Sequence, residues 1–298
     1  RSMIDKYGSK AAANGTFVVS SCGFDSVPSD LGAWMMVTAM KNKTKDRCVS
    51  VAGYLVKADQ NNRITSSGPK PLGGTLLSLL IAFERMRLGE ISDPLLLADA
   101  PLRHRQGKTR MPQLLPGFDW HLRTFTGHFA MAWINQKTVM RSASLLPSLY
   151  GTDFTYSEGM ATSNPIKVCL VSFFSIMLYM FLMLPFGPKL CHRIIPATSQ
   201  TPPPLPEKYK PGSLEWQFVA RGKNGTLLKG RVTAPDEAGY TETAKMVIES
   251  ALSLALQEDE VRQAFDGKQG GVVTPAVLAP VLMSRLRTRG MTFIAGLE

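Results

Sequence analysis

Apolar and polar positions divide the chain into a short series of recognisable segments. Thr16 to Ser21 is a β-branched and aromatic run that follows Asn14-Gly15, the pattern of a buried strand leaving a turn. Cys22 to Gly32 then supplies a glycine, several small polar side chains and Pro28, and leads into the apolar stretch Ala33 to Met40. Ser26 is a candidate N-cap, with Pro28 in the first helical turn. The pattern predicts strand, loop and helix, with acid and hydroxyl groups in the loop at the carboxyl end of the strand. In open α/β sheets that edge is where ligands bind. Cys48 to Lys57 alternates as a half-exposed strand does, and Gly68 to Thr75, GPKPLGGT, precedes a helical pattern from Leu76 to Arg87. A strand is expected within His121 to Ile134 and a helix containing Arg141 over Lys137 to Leu149.

From Val168 through Gly187 there is no charged side chain, and the stretch is bracketed by Lys167 on one side and by Lys189 and Arg193 on the other. About twenty apolar residues are enough to cross a hydrocarbon layer of about 30 Å. Three readings stay open: a spanning helix, a helix or bent hairpin lying in one leaflet, and a helix buried in protein. Pro185, Gly187 and Pro188 permit a sharp turn before Leu190 to Ile195, which suits the hairpin. Thr201 to Pro211 reads as a stiff proline-rich linker. Leu214 to Arg221 and Leu227 to Ala234 then flank Asn224-Gly225, the signature of a tight hairpin. Thr241 to Leu256 follows as a helix whose apolar positions are Ala244, Val247, Ile248, Ala251, Leu252 and Ala255. In the last helix, Thr274 is a candidate N-cap and Pro275 takes the first position.

Composition narrows the function classes. The 298 residues carry a formal charge of +11, which suits an anionic partner. The basic residues are scattered apart from small clusters near Arg103 to Arg110 and Arg285 to Arg289, and no nucleic-acid-binding motif accompanies them, so nucleic acid is set aside. Cys22, Cys48, Cys169 and Cys191 form no C-x-x-C pair, and His104, His121, His128 and His192 show no ligand spacing, so no metal is expected. The chain opens on Arg1 without a leader, as a piece of a longer protein would. Gly68, Gly73 and Thr75 resemble the spacing of a phosphate loop, but Gly74 stands where the lysine belongs. Gly73 and Gly74 either turn the backbone into a helix or line a ligand pocket with their amides. No G-x-S-x-G elbow supports serine hydrolysis.

Gly23 to Gly32 (GFDSVPSDLG), Gly73 to Thr75 (GGT), Arg141 to Leu145 (RSASL), the helix from Ala238 and Gly270 to Leu278 (GGVVTPAVL) together resemble the saccharopine dehydrogenase-like oxidoreductases, a group that includes the mycobacterial trans-acting enoyl reductases. The resemblance runs over nearly the whole chain. It implies an α/β fold: the remnant of a Rossmann-type parallel sheet plus a mixed α+β substrate domain with a membrane-associated hydrophobic helix or hairpin. Residues 1–45 would be the C-terminal part of the nucleotide-binding domain. Residues 46–270 would form the mixed substrate-side domain, with the membrane segment at 166–195 and the linker at 201–211, and 271–298 a helix returning to the nucleotide domain.

The implied activity is NAD or NADP-dependent hydride transfer to a lipid-type substrate, enoyl reduction among the options, at the cytoplasmic face of a membrane or on a lipid droplet, with a homodimer allowed. Gly23, Phe24, Asp25, Ser26 and Pro28 become candidates for cofactor binding, and Gly73, Gly74, Thr75 and Arg141 for substrate binding. Tyr150 and Tyr240 are candidate proton donors. Each has a structural alternative: Asp25 and Ser26 as helix caps, Arg141 in an ion pair, the tyrosines as core packing. The chain departs from the family in having no G-x-G-x-x-G, so by itself it is expected to be inactive and to bind no dinucleotide tightly. The alternative function is a non-catalytic membrane or lipid-droplet protein that keeps the scaffold.

Overall fold

Among the described residues, strand pairing forms two sheets. The computed structural model describes residues 1–58, 78, 80, 81, 84, 85, 93–99, 102, 112–184, 186–198, 213–236 and 238–297. Helix α1 (Ser2–Ala13) leads to strand β1 (Phe17–Val19), and helix α2 (Val27–Thr44) follows. β1 pairs in parallel with β8 (Gly271–Val273), Val18 opposite Val272. The larger sheet has the order β3 (Gly117–Asp119), β4 (Thr124–Gly127), β5 (Thr155–Thr162), β2 (Cys48–Ala58), β6 (Ser213–Gly222), β7 (Leu227–Ala234) and β9 (Thr292–Leu297). β2 runs parallel to β5, and the other neighbouring pairs are antiparallel. The fold is therefore α/β, with a mixed sheet and parallel segments. Among the described residues, further helices are α3 (Ala132–Leu145), α4 (Pro147–Tyr150), α5 (Pro165–Met183), α6 (Gly187–Thr198), α7 (Thr243–Leu256), α8 (Glu258–Ala264) and α9 (Ala279–Thr288).

α2 packs across β2, β6, β7 and β9 of the larger sheet. It is hydrophobic around most of its circumference, as a helix covered on several sides must be, and Leu31, Met36, Val37 and Met40 are all buried. Its approach to the large sheet is set by glycine. A Cβ on Gly32 would stand 2.1 Å from Cζ of Phe218, and one on Gly53 of β2 would stand 3.1 Å from Cε1 of the same ring. Two side-chain-free positions thus hold a phenyl ring between helix and strand.

Local signals translated into structure where they were strong. β6 and β7 pair from Leu214↔Ala234 to Arg221↔Leu227, and Gly225 sits in the left-handed region at φ +89°. β2 and α2 occur where the pattern placed them. Other segments differ. The stretch His121 to Ile134 holds only the four-residue β4 before α3 begins at Ala132, and α3 ends at Leu145, ahead of Pro147. The C-terminal stretch supplies more than a helix, since β8 lies beside β1 and β9 closes the edge of the large sheet. The proline-rich stretch 201–211 lies outside the described residues.

α7 turns several polar side chains inward. Val247 and Ile248 are exposed, while Glu249, Ser250 and Ser253 are buried. Polar satisfaction explains their burial: Glu249 takes Arg285 at 2.7 Å and Arg289 at 2.6 Å, and both serines donate to the carbonyl four residues back.

Gly32→Ala is expected to destabilise the fold by about 1–3 kcal/mol through overpacking against Phe218. Phe218→Leu in the same chain should recover part of that loss. Urea unfolding of the three proteins checks this; an unchanged midpoint for Gly32→Ala would refute the packing account.

Candidate functional site

The loop between β1 and α2 stands at the carboxyl end of β1, where the backbone passes through a left-handed Ser21 at φ +61°. The Gly23 carbonyl accepts the Ser26 and Val27 amides at 3.2 and 2.9 Å, which starts the helix. From the other side the loop is fastened to the beginning of α7. The Phe24 amide donates to Thr243 Oγ1 at 3.1 Å, and a Cβ on Gly23 would stand 3.0 Å from Thr243 Cγ2. Glycine at 23 therefore permits the close approach of loop to helix. Behind the loop stands an aromatic wall: Trp216 lies 6.4 Å from Phe24 and 5.6 Å from Phe129, ring centroid to centroid.

Within this loop the candidates take different positions. Asp25 is exposed, yet enough protein surrounds its carboxyl for desolvation to raise its pKa above the usual carboxylate range. Pro28 is buried in the first turn of α2. Ser26 occupies the N-cap position without capping; its hydroxyl donates instead to Asn135 Oδ1 of α3 at 3.1 Å.

That bond opens a buried polar network. Asn135 Nδ2 donates to Glu158 Oε1 at 2.8 Å, Ser29 donates to the same oxygen at 3.3 Å, and the Tyr156 hydroxyl donates to Oε2 at 3.0 Å. Burial pushes the Glu158 carboxyl up to about 8 against the lowering effect of these three donors. One helical turn beyond Ser26 lies a second carboxyl. Asp30 accepts Ser142 at 2.5 Å and the Ala276 amide at 2.8 Å, and Ser142 is 2.6 Å from Thr274 Oγ1. Burial raises Asp30 to about 7, against the lowering effect of Ser142 and the Ala276 amide. The two networks tie α2 to α3, to β5 and to the turn that opens α9, and they fix the loop from beneath.

The remaining candidates fall elsewhere. Arg141 is buried on α3, paired with Asp99 and donating to the Val272 carbonyl of β8 at 3.0 Å, while Arg1 holds Asp99 at 3.2 Å. A substrate carboxylate would have to displace Asp99 to reach it. Tyr150 has no exposed surface, its ring lies 4.8 Å from that of Phe154, and its pKa is raised well above the usual value by burial. Nothing of it is left for a ligand to touch. Gly73, Gly74, Thr75 and the side chain of Tyr240 lie outside the described residues. Among the described residues no group of three or more His, Cys, Asp or Glu side chains is placed to hold a metal ion.

Glu158, Asn135, Asp30, Ser142 and Thr243 escaped sequence reasoning. Their partners are far away in the chain. The one local sign was an acid in the middle of TYSEGMAT, a segment without apolar alternation.

The fold and this loop define an α/β protein with a candidate ligand edge at the end of a parallel strand pair. Comparison with known proteins adds a direction. The chain is 27% identical over 318 aligned residues to a protein of Mycobacterium tuberculosis named as a trans-acting enoyl reductase, covering 98% of this chain and 70% of that protein. Trans-acting enoyl reductases of Mycobacterium bovis and Mycobacterium leprae are each 26% identical, again over 98% of this chain and 70% of their own length. Similarity of this extent supports a place beside that family. No family model and no solved structure matches the chain.

Stability should report the two buried carboxyls. Their usual values are 3.8 for Asp30 and 4.5 for Glu158, and the folded chain holds both protons above those values, up to about 7 and about 8. The stabilisation is full below the unfolded values and is lost as pH rises through the folded ones, by up to about 1.4 kcal/mol per pH unit for each group. Asp30→Asn with Glu158→Gln is expected to flatten the decline in stability between about pH 4 and pH 8. Unfolding free energies across that range check it, and a slope equal to that of the parent chain would refute it.

Proposed function

We propose that this chain is the greater part of an NAD(P)H-dependent reductase that saturates a double bond conjugated to a carbonyl in a lipid-type substrate. The observation that carries the reading is the end-to-end similarity to proteins named trans-acting enoyl reductases. A nicotinamide cofactor is implied by that reaction class in general. The wider kinship is to the saccharopine dehydrogenase-like oxidoreductases, on the motifs quoted above.

The loop residues fit one end of such a cofactor. Asp25 is the only charged side chain from Cys22 to Ser29, and as an acid it accepts from hydroxyls and amides while repelling phosphates. Ribose and carboxamide suit it; the pyrophosphate needs an anion cradle elsewhere, such as a glycine-rich turn on a strand beside β1. In this reading β1 and β8 complete a nucleotide-binding sheet. Gly23 lets the loop close on Thr243, Ser26 and Asn135 keep the loop in register, and the Phe24, Trp216 and Phe129 wall excludes water from the edge. When bound, the nicotinamide supplies the hydride. The protein's task is to orient it against the acceptor.

A lipid-side location is part of the same proposal. α5 is long and apolar enough to cross a membrane by length and composition. Its exposed apolar residues support a surface wetted by lipid.

The test uses the full-length protein with NADPH and an α,β-unsaturated acyl thioester. Enoyl-dependent NADPH oxidation is expected, and Asp25→Ala should raise the KM for NADPH about tenfold or more with little change in kcat. No turnover with any conjugated enoyl thioester would overturn the activity. An unaltered KM would remove Asp25 from the cofactor site. The 298-residue chain alone is expected to show no saturation with micromolar NADPH in a fluorescence titration.

A further inference from the structure

α5 has two unlike sides. Val168, Ser172 and Leu182 are buried along one line, with Ser175, Ile176 and Tyr179 half-buried beside them. On the opposite line Ile166, Leu170, Phe173, Phe174, Met177 and Met180 are each between 49% and 69% exposed. The covered line thus extends along nearly the whole helix. Its first half sits directly on β4: a Cβ on Gly127 would stand 2.8 Å from Val168 and 3.0 Å from Ser172, and Ser172 Oγ accepts the His128 amide at 3.4 Å. At the far end the chain turns sharply into α6, where a Cβ on Gly187 would stand 2.1 Å from the Phe181 carbonyl oxygen. His192 of α6 is in turn held by Glu84 at 3.3 Å.

Length does not decide how such a helix meets lipid. Nineteen residues make about 28 Å of helix, enough to span. Contact does decide. A spanning α5 would draw β4 into the hydrocarbon with it, together with the Gln113 amide bonded to Thr126 and the His128 imidazole bonded to the Gln113 carbonyl. An open sheet carrying polar side chains of that kind is disfavoured in a bilayer interior. A helix lying in the interface immerses only its outer line. Leu184, Phe186 and Leu190, all exposed, extend the same surface into α6, and Lys189 and Arg193 stand exposed next to them.

The charge pattern selects the occupant. From Gly159 to Pro206 there is no Asp or Glu, while Lys167, Lys189 and Arg193 all carry positive charge. Two copies meeting through this face would oppose like charges; anionic headgroups would satisfy them.

We infer that α5 and the start of α6 lie flat in one leaflet of an anionic phospholipid membrane, the exposed line among the acyl chains and Lys189 and Arg193 among the phosphates. This rests on the lipid-side reading above and adds the mode of insertion and the lipid charge.

The test uses the full chain and vesicles of phosphatidylcholine with and without phosphatidylserine. A cysteine is placed in turn at Ile166, Phe173 and Met180, in a chain with Cys22, Cys169 and Cys191 changed to serine and the buried Cys48 kept, and is labelled in the folded protein with an environment-sensitive fluorophore. Depth-dependent quenching is expected to find all three positions equally shallow. Phe174→Glu with Met177→Glu should weaken vesicle partitioning about a hundredfold. Lys189→Gln with Arg193→Gln should weaken it about thirtyfold, on phosphatidylserine vesicles alone. Unchanged circular dichroism shows that the variants fold. A deep centre with shallow ends would overturn the in-plane mode while leaving membrane association standing. Absence of partitioning by the parent chain would overturn both. A soluble dimer dissociated by the glutamate variants would assign the face to a second copy and overturn the inference.

Discussion

Burial of the polar edge of α2 is the constraint on which the rest depends. Ser26, Ser29 and Asp30 lie out of reach of water, and each must find a partner inside the protein or cost the full desolvation of its polar group. The partners come from different elements: Asn135 and Ser142 from α3, Glu158 from β5, and the Ala276 amide from the turn before α9. An apolar helix could slide or rotate over the sheet at small cost. A helix with three buried hydrogen-bonding groups in one and a half turns is held in a single register, and Phe218 between Gly32 and Gly53 sets its height.

The loop from Cys22 to Ser26 inherits that register. It is the point where a parallel strand ends and the constrained helix begins, and it is clamped on its outer side by Thr243. Both carboxyls beneath it are raised by burial, Asp30 to about 7 and Glu158 to about 8, and Asp25 is the acid that faces outward. Under the proposed function two duties are separated: α2 and its partners would give precision, and the loop would offer backbone and one carboxylate to a ligand. Arg141 belongs to the first duty, fixing α3 to β8 through Asp99 and Val272.

What the sequence revealed follows the range of the forces involved. The β6–β7 hairpin, β2, the β1–loop–α2 unit and the apolar α5 are written in short-range signals, a turn dipeptide, a period or a proline. β5 was not visible, because Tyr156, Glu158 and Gly159 fit a strand only once α3 and β2 surround them. α7 was visible as a helix, but the burial of Glu249 was not, since it comes through Arg285 and Arg289 rather than by hydrophobicity. The loop of the candidate site could be read; the network that positions it could not, with Ser26 bonded across 109 residues and Asp30 across 246.

The central claim is that the loop at the end of β1 is a ligand edge held by α2. Amide hydrogen exchange of the full-length protein, with and without saturating NADPH, tests it most directly. The account predicts new protection at Gly23 to Ser26 and at Thr243, with the amides of α2 already slow in both states. Ligand-induced protection that bypasses this loop, or an α2 that exchanges rapidly without ligand, would contradict it.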